Sequence, residues 1–406
     1  MAKKNTPKKI VLAYSGGLDT SVILPWLKDR YPGVKLVAFA AELGQGDELK
    51  GIEKKAYASG ADEVVVKDLR KEFAEEFCFP LLRAHAIYET DYLLGTSIAR
   101  PLIAKHQVMV AKQTGADAVG HGATGKGNDQ VRFELTYMAL NPKLKIVSPW
   151  KDPEFELTDR EAAVDYAKLH KIPIDQSKKK IYSRDRNLWH ISHEGSEIED
   201  PANEPLDDCL VMSVPPHKAP DKPKYVEVEF KEGIPVKLDG KSYRGKGHEL
   251  IAALNKIGGK HAVGQTVLVE NRLVGMKSRG VYETPGGTIL YESHKALEQL
   301  CLERDLYHHK QQLAIRYGEL VYNGQWYHPL REAMQAFIDQ SNKVITGKVK
   351  VKLYKGRALA VSATAPKSLY DTNLASFSMD DYDIEAARGF IDVYGLPMKV
   401  RGAKQR

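Results

Sequence analysis

The chain of 406 residues is 43% hydrophobic, so it is long enough to form two or three domains with sizeable cores. Its 60 basic and 53 acidic residues leave a formal charge of +7, a mild excess that anionic small-molecule substrates would explain and that argues against a nucleic-acid-binding surface. No apolar run approaches the roughly 20 residues of a membrane span and no signal peptide is recognisable, so we expect a cytoplasmic protein without a membrane or nucleic-acid partner.

The first predicted elements are a strand and a helix joined by a glycine-rich turn. The apolar run 10–13 is typical of a strand buried on both faces, and the apolar pairs within 22–27 indicate a helix, which Pro25 should interrupt. Between them, Ser15-Gly16-Gly17 lets several backbone N–H groups point at one anion at the positive end of the helix dipole. We interpret this turn as a phosphate cradle without the Walker lysine; the alternative is a plain turn with a serine or aspartate cap.

Strands and helices then alternate. We predict strands at 34–39, 61–67 and 116–120, and helices at 47–59, 73–85, 98–114 and 158–170, with Pro101 in the first turn of the third helix. Such βαβ units form a parallel, doubly wound α/β sheet that binds ligands at the carboxyl ends of its strands. We expect this nucleotide-binding domain to span residues 1–174.

A second glycine-rich stretch occupies residues 120–132. Its first seven residues fit the Walker spacing, but Gly127 stands where a Mg²⁺-binding hydroxyl would be, which argues against a second nucleotide-hydrolysing loop. The glycines predict a backbone-lined pocket for amino-acid substrates beside the nucleotide. Polar side chains edge this pocket: Thr124, Asn128, Asp129 and Arg132. The alternative is a flexible surface loop with Asn128 as a helix cap.

The second half, residues 175–370, is predicted to be an antiparallel α+β domain that contributes substrate-binding residues. Residues 178–223 are poor in apolar side chains and should be irregular, as a linker or an active-site cover. We predict strands at 225–230, 236–238 and 266–274, a hairpin over 349–361, helices at 248–257 and 289–317, and a turn-rich loop at 276–287. A tail at 371–406 carries an amphipathic helix at 384–394, whose apolar face needs a partner on its own chain or on a neighbouring subunit.

Histidine and cysteine spacing does not favour a metal or redox centre. His190 and His193 could suggest a metal, but a third ligand is not evident. Cys78, Cys209 and Cys301 lie far apart in the sequence, so we expect them to be reduced and without chemistry.

Four stretches resemble the argininosuccinate synthase family of ATP pyrophosphatases: AYSGGLDTS at 13–21, YLLGTSIARP at 92–101, HGATGKGNDQVR at 121–132 and GMKSRG at 275–280. The resemblance extends from about residue 9 to about residue 397. It implies the ATP- and Mg²⁺-dependent ligation of L-citrulline and L-aspartate, which gives argininosuccinate, AMP and diphosphate through citrullyl-AMP. It also implies a homotetramer that assembles through the C-terminal helix.

The resemblance implies site residues as well. ATP would contact Ala13, Tyr14, Ser15, Gly16, Gly17, Leu18, Asp19, Thr20, Ser21, Ala41 and Gly122. Citrulline would contact Tyr92, Ser97, Asn128, Arg132, Ser183, Ser192, Glu270 and Tyr282, and aspartate would contact Thr124, Asn128 and Asp129.

Two carboxylates are candidates for a catalytic role. Asp129 would hold or deprotonate the aspartate amine, and Asp19 would orient Mg²⁺ or its water shell, although a helix-capping role for Asp19 stays open. One alternative function is a tRNA-modifying ATP pyrophosphatase, but neither the cysteine pair of a thiolating enzyme nor a basic face is seen. Another is a non-catalytic adenine-nucleotide-binding protein, which would leave the polar residues of the second half unexplained.

Overall fold

The computed structural model describes residues 6–125, 127–157, 160–173, 182–376 and 382–405. Its first sheet contains five parallel strands in the order β3-β2-β1-β4-β5. These strands are β1 (Lys9–Ala13), β2 (Lys35–Glu42), β3 (Glu63–Asp68), β4 (Ala118–Gly120) and β5 (Lys145–Val147). The predicted parallel α/β sheet is therefore confirmed. The strand order reverses between β1 and β4, which is where such sheets form a ligand-binding crevice.

Helices connect these strands: α1 (Leu18–Arg30), α2 (Ile52–Ala58), α3 (Arg70–Glu72), α4 (Phe79–Ala84), α5 (Gly95–Thr114), α6 (Asp129–Leu140) and α7 (Arg160–Leu169). A π-helical segment, Phe73–Cys78, joins α3 to α4. The predicted helix at 73–85 thus begins as a π-helix, and the first two residues of the predicted helix at 158–170 lie outside the described residues.

Three helix predictions were wrong in detail. The expected helix at 47–59 is split by Gly51, whose φ of 71° is incompatible with a right-handed helix. Helix α1 continues through Pro25, because residues 21–27 are all buried and their packing holds the helix together. Helix α5 begins at Gly95, after a left-handed turn at Leu94, so Pro101 lies in its second turn.

Two antiparallel sheets form most of the second half. One has the order β11-β12-β7-β6 and the other the order β10-β9-β8-β13-β14. The strands are β6 (Ser183–Arg186), β7 (Ile191–Glu194), β8 (Lys224–Lys231), β9 (Ile234–Leu238), β10 (Lys241–Ser242), β11 (Gln265–Asn271), β12 (Lys277–Glu283), β13 (Gly347–Tyr354) and β14 (Arg357–Thr364). The predicted antiparallel character and the β13–β14 hairpin are confirmed.

Strands replace two segments that were expected to be irregular. Within 178–223 the chain forms β6 and β7, each of four residues, and the loop expected at 276–287 contains β12. These strands carry polar residues even at buried positions, such as Ser192, His193 and Glu283, so the alternation that marks a half-buried strand is weak. Pairing with neighbouring strands decides their conformation.

The helices of the second half are α8 (Gly247–Lys260), α9 (Pro285–Cys301), α10 (Arg304–Tyr322), α11 (Pro329–Ser341), α12 (Thr372–Ala375), α13 (Ile384–Tyr394) and α14 (Leu396–Lys404). The single helix expected at 289–317 is two helices, because Leu302 is extended and the Glu303 side chain caps α10 by accepting two backbone N–H groups. The amphipathic helix predicted at 384–394 is α13 with the same bounds.

Buried side chains from both halves form one continuous hydrophobic cluster. The ring centroids of Phe77 and Trp326 lie 4.6 Å apart, and Tyr291 donates a 2.7 Å hydrogen bond to the Ala86 carbonyl. The predicted domain boundary at 174/175 lies outside the described residues. None of the described helices combines the length and apolar character that crossing a membrane requires.

Candidate active site

The turn between β1 and α1 is an open loop built on two glycines. Gly16 has a φ of 74°, a left-handed backbone that favours glycine, and Gly17 is the N-cap of α1. Hydroxyl groups hold the turn: Ser21 Oγ donates to the Gly17 carbonyl over 2.7 Å, and the Ser15 and Thr20 hydroxyl oxygens lie 3.1 Å apart. Because Ser15 is exposed and the glycines are partly exposed, the N-terminus of α1 is accessible to an anion.

The second glycine-rich stretch lies directly against the first. A Cβ atom on Gly122 would lie 3.0 Å from Ile23 Cδ1 and 3.2 Å from Thr20 Cγ2, so a larger residue would force the two segments apart. Ala41 is buried near the carboxyl end of β2, the neighbour of β1. The residues implied to contact ATP therefore share the carboxyl edge of the parallel sheet.

Polar side chains occupy one face of the sheet formed by β11, β12, β7 and β6. Ser192 lies directly opposite Tyr282 on one neighbouring strand and opposite Asp185 on the other, so these three side chains share a face. The Tyr282 hydroxyl donates to Glu270 Oε1 over 3.1 Å. We call Asp185, Ser192, Glu270 and Tyr282 the polar platform.

The loop that precedes α5 packs on the polar platform. The Tyr92 and Tyr282 ring centroids lie 4.8 Å apart, and the Tyr92 hydroxyl accepts a hydrogen bond from the Thr96 backbone N–H. Two buried oxygen atoms here, Ser97 Oγ and Glu270 Oε2, make no well-formed hydrogen bond to a described residue, although Ser97 lies beside the Tyr92 hydroxyl and Glu270 beside the Tyr322 hydroxyl. Because buried polar atoms are nearly always paired, these two oxygens indicate a place where a ligand binds.

Asp129 lies between two guanidinium groups. Arg100 Nε donates to Asp129 Oδ2 over 2.7 Å, and Arg132 Nη1 donates to Asp129 Oδ1 over 2.9 Å. Arg100 Nη2 also lies 2.7 Å from Asp185 Oδ2, so one arginine links the second glycine-rich stretch to the polar platform.

Asn128 ties the same stretch to the second half of the chain. Its Nδ2 group donates to the Tyr322 hydroxyl over 2.8 Å, and its Oδ1 atom accepts from the Leu273 backbone N–H over 3.0 Å. Arg132 Nε donates to the Tyr322 carbonyl over 3.1 Å. The second glycine-rich stretch is therefore held by α10 and by the turn that follows β11.

Two family models match the chain: the arginosuccinate synthase N-terminal HUP domain over residues 9–173, and the arginosuccinate synthase C-terminal domain over residues 182–401. The chain belongs to the argininosuccinate synthase family. The argininosuccinate synthase of Carboxydothermus hydrogenoformans is 55% identical over 98% of each chain. The chloroplastic argininosuccinate synthase of Arabidopsis thaliana is 57% identical over 97% of this chain and 79% of that protein, and the argininosuccinate synthase of Roseiflexus sp. is 55% identical over 97% and 96%.

Burial and charge shift the pKa values of the acidic groups in this member of the argininosuccinate synthase family. Burial acts to raise the pKa of Asp129, but Arg100 and Arg132 outweigh it, so the pKa lies below its ordinary value. Burial raises the pKa of Glu270, and the nearby Arg132 opposes that shift. Asp129 is therefore a stable carboxylate at neutral pH, while Glu270 is more readily protonated than an exposed glutamate.

Three of the residues implied to form the site lie at its rim. Thr124 and Ser183 are exposed, and no hydrogen bond joins their side chains to the other described site residues. Asp19 is exposed in the first turn of α1. Their assignment to the site therefore stays a prediction.

Four further residues of the site were not assigned to it from the sequence: Arg100, Asp185, Tyr322 and His190, which was considered only as a possible metal ligand. Arg100 lies within the quoted stretch 92–101, so the motif contained a signal for it. Tyr322 had no such signal, because it contacts Asn128 and Arg132 from a helix that lies at least 190 residues further along the sequence.

His190 and His193 belong to separate hydrogen-bond networks. His190 Nε2 lies 2.9 Å from Thr96 Oγ1, and burial lowers the pKa of His190 to about 3, so its ring is neutral. His193 Nε2 lies 2.8 Å from Glu283 Oε1. The two side chains therefore have different hydrogen-bond partners, and only His190 is shown beside the Tyr92 and Tyr282 rings of the site.

A group elsewhere, His85, His294 and Glu298, has potential metal-ligand atoms within 4.8 Å of one another. Lys310 donates to Glu298, so the carboxylate of this group already has a buried cationic partner. A metal ion there would have to compete with that ammonium group.

Proposed function

We propose that this chain ligates L-citrulline and L-aspartate at the expense of ATP, and that it forms argininosuccinate, AMP and diphosphate through citrullyl-AMP. Family membership over nearly the whole chain supports this reaction. One structural observation carries the assignment of its sites: Gly122 lies against Thr20 and Ile23, so the two glycine-rich stretches meet at one edge of the parallel sheet.

The chemistry requires that citrulline be activated, because a urea carbon is a weak electrophile. Attack of the ureido oxygen on the α-phosphorus of ATP turns that oxygen into part of a good leaving group and releases diphosphate. Such a step depends mainly on positioning and charge stabilisation, so it needs no serine or cysteine nucleophile. We assign ATP binding to residues 13–21 together with Ala41 and Gly122.

We place citrulline on the polar platform. The buried oxygen atoms Ser97 Oγ and Glu270 Oε2, which lack a well-formed hydrogen bond within the described chain, can accept from its ammonium or ureido N–H groups, and Ser192 and Tyr282 offer hydroxyl groups beside them. The remaining members of the proposed citrulline site are Tyr92, Asn128, Arg132 and Ser183.

We place aspartate at the second glycine-rich stretch, with contacts from Thr124, Asn128 and Asp129. The lowered pKa of Asp129 suits a carboxylate that holds the ammonium group of the substrate, and makes it a weak base for removing a proton. Of the two roles expected for Asp129, we therefore favour the first. Arg100 and Arg132 are placed to attract the carboxylate groups of the substrates.

Mg²⁺ is the proposed metal partner of ATP. The exposed Asp19 carboxylate and the hydroxyl groups of Ser15 and Thr20 are hard oxygen donors beside the phosphate loop, so the residues fit this ion. When bound, Mg²⁺ neutralises phosphate charge; the loop itself orients the triphosphate through its backbone N–H groups.

We further propose a cytoplasmic homotetramer with domains at 1–174, 175–370 and 371–406. Apolar side chains of α13 remain exposed in the single chain, with Ile384 78% and Tyr394 75% exposed. An uncovered apolar helix face favours burial against neighbouring subunits. This supports the second of the two partners considered for that helix.

The proposed function is tested by the substrate dependence of AMP formation. Purified protein with ATP and Mg²⁺ should release AMP continuously only when both citrulline and aspartate are present, and mass spectrometry should detect argininosuccinate in equal amount. ATP binding without AMP formation would support the nucleotide-binding alternative. AMP formation that requires tRNA would support the tRNA-modifying alternative.

A further inference from the structure

The phosphate loop contains no basic side chain of its own. Residues 13–21 include one acidic residue, Asp19, and no lysine or arginine. A triphosphate carries several negative charges, and backbone N–H groups supply only partial positive charge. A cationic side chain from another part of the chain would therefore add to the charge that Mg²⁺ supplies at this loop.

Helix α2 brings a lysine to the loop. Lys55 Nζ donates a hydrogen bond to the Gly16 carbonyl, across 39 positions of sequence. The left-handed Gly51 turns the chain into α2. Ile52, in the first turn, packs beside Gly16, where a Cβ atom would lie 3.5 Å from Ile52 Cδ1. Lys55 follows three residues later, so it lies on the same face of the helix as Ile52.

The Lys55 side chain is not enclosed in the hydrophobic core, so a ligand at the loop could contact it. Its side chain is half-buried, and the loop that it reaches is partly exposed. A lysine has three N–H donors, so its ammonium group can keep the Gly16 carbonyl as a partner and donate to a phosphate oxygen as well.

We infer that Lys55 binds the β- and γ-phosphates of ATP and stabilises the departing diphosphate, a role that rests on the proposed function. In this step the ureido oxygen of citrulline forms a bond to the α-phosphorus. The bond from the α-phosphorus to the bridging oxygen breaks, and its electron pair leaves on diphosphate. The ammonium group of Lys55 stabilises the negative charge that develops on the leaving diphosphate.

The Lys55→Met variant tests this role, with Lys54→Met as the matched control, since Lys54 is exposed on the same helix. Loss of a charge-assisted hydrogen bond should weaken ATP and diphosphate binding about tenfold to hundredfold, and kcat should fall as well. AMP lacks the β- and γ-phosphates, so its dissociation constant should change by less than about twofold by the same reasoning. Lys55→Arg should restore most of the diphosphate affinity, and Lys54→Met should match the unmodified protein.

Calorimetry with AMP and with diphosphate, each measured separately, separates the outcomes. Equal weakening of both ligands would mean that Lys55 only supports the shape of the loop, and unchanged diphosphate affinity would remove its contact with phosphate; either result overturns the inference. The measurement needs no turnover. Failure of the unmodified protein to form argininosuccinate would refute the proposed function. The diphosphate affinities of the variants would still show whether Lys55 contacts phosphate.

Discussion

Replacing Gly17 with valine should abolish ATP-dependent turnover and leave the fold intact. Gly17 has a φ of −69°, which valine adopts without strain, and its Cβ atom would meet only Ser15 Oγ, at 3.3 Å. The cost to stability is therefore about 1 kcal/mol, the penalty for valine at a helix N-cap. The γ-carbons of valine, however, would occupy the space through which phosphate oxygens approach the N-terminus of α1.

Blocking two charge-assisted N–H contacts removes roughly 3–6 kcal/mol of interaction with ATP, which lowers kcat/KM at least about 100-fold. Steady-state AMP release measures the loss, and a thermal melt, which should shift by only a few degrees, controls for folding. Gly17→Ala should be intermediate, because it adds the Cβ atom alone. Near-normal activity in a folded Gly17→Val protein would refute the phosphate-cradle assignment.

Three further predictions concern other parts of the site and the assembly. A Cβ atom on Gly95 would lie 2.3 Å from the His190 ring, which stacks on Tyr282 of the polar platform. Gly95→Ala should therefore displace that ring and raise the KM for citrulline about tenfold or more, with the KM for ATP as an internal control. An unchanged citrulline KM would contradict the placement of citrulline on the polar platform. Asp129→Asn should raise the aspartate KM about tenfold to hundredfold. The folded pKa of Asp129 is depressed, so the stabilisation from its ionised carboxylate is present above its unfolded pKa of about 4 and is lost as pH falls through the lower folded pKa. The kcat/KM for aspartate should therefore show no titration of Asp129 between about pH 5 and 8. A loss of kcat/KM on the acid side of that range that is absent from Asp129→Asn would contradict the depressed pKa. Deletion from Ser378 onward should lower the particle mass measured by light scattering, and an unchanged mass would place α13 on its own subunit.

The parallel sheet could be predicted because its signals are local. The run 10–13 is apolar throughout, as a strand buried on both faces requires, and the glycines that follow it specify the turn by themselves. The second glycine-rich stretch could likewise be predicted as a loop from residues 120–132 alone. The contact between these two stretches also follows from the topology, since both leave the same edge of the sheet.

The polar platform could not be predicted from pattern, because its strands carry serine, aspartate and glutamate where a structural strand would carry apolar residues. Ser192 lies in a segment whose sequence has no strand pattern, and the segment is a strand because it pairs with β6 and β12. Tyr322 and Lys55 reach the site through the packing of whole helices, and no local pattern encodes such a contact. The left-handed conformation of Gly51, which sets the direction of α2, could not be predicted either, because Gly51 lies inside the helix expected at 47–59.

The fate of the ureido oxygen of citrulline tests the central claim most directly. If this oxygen attacks the α-phosphorus of ATP, it stays bonded to phosphorus when the aspartate amine displaces the activated group. Citrulline labelled with heavy oxygen in its ureido group should therefore give AMP that carries one labelled oxygen, together with unlabelled diphosphate, as measured by mass spectrometry. Unlabelled AMP alongside labelled diphosphate or labelled free phosphate would mean attack at another phosphorus, and would contradict the role assigned to Ser15-Gly16-Gly17.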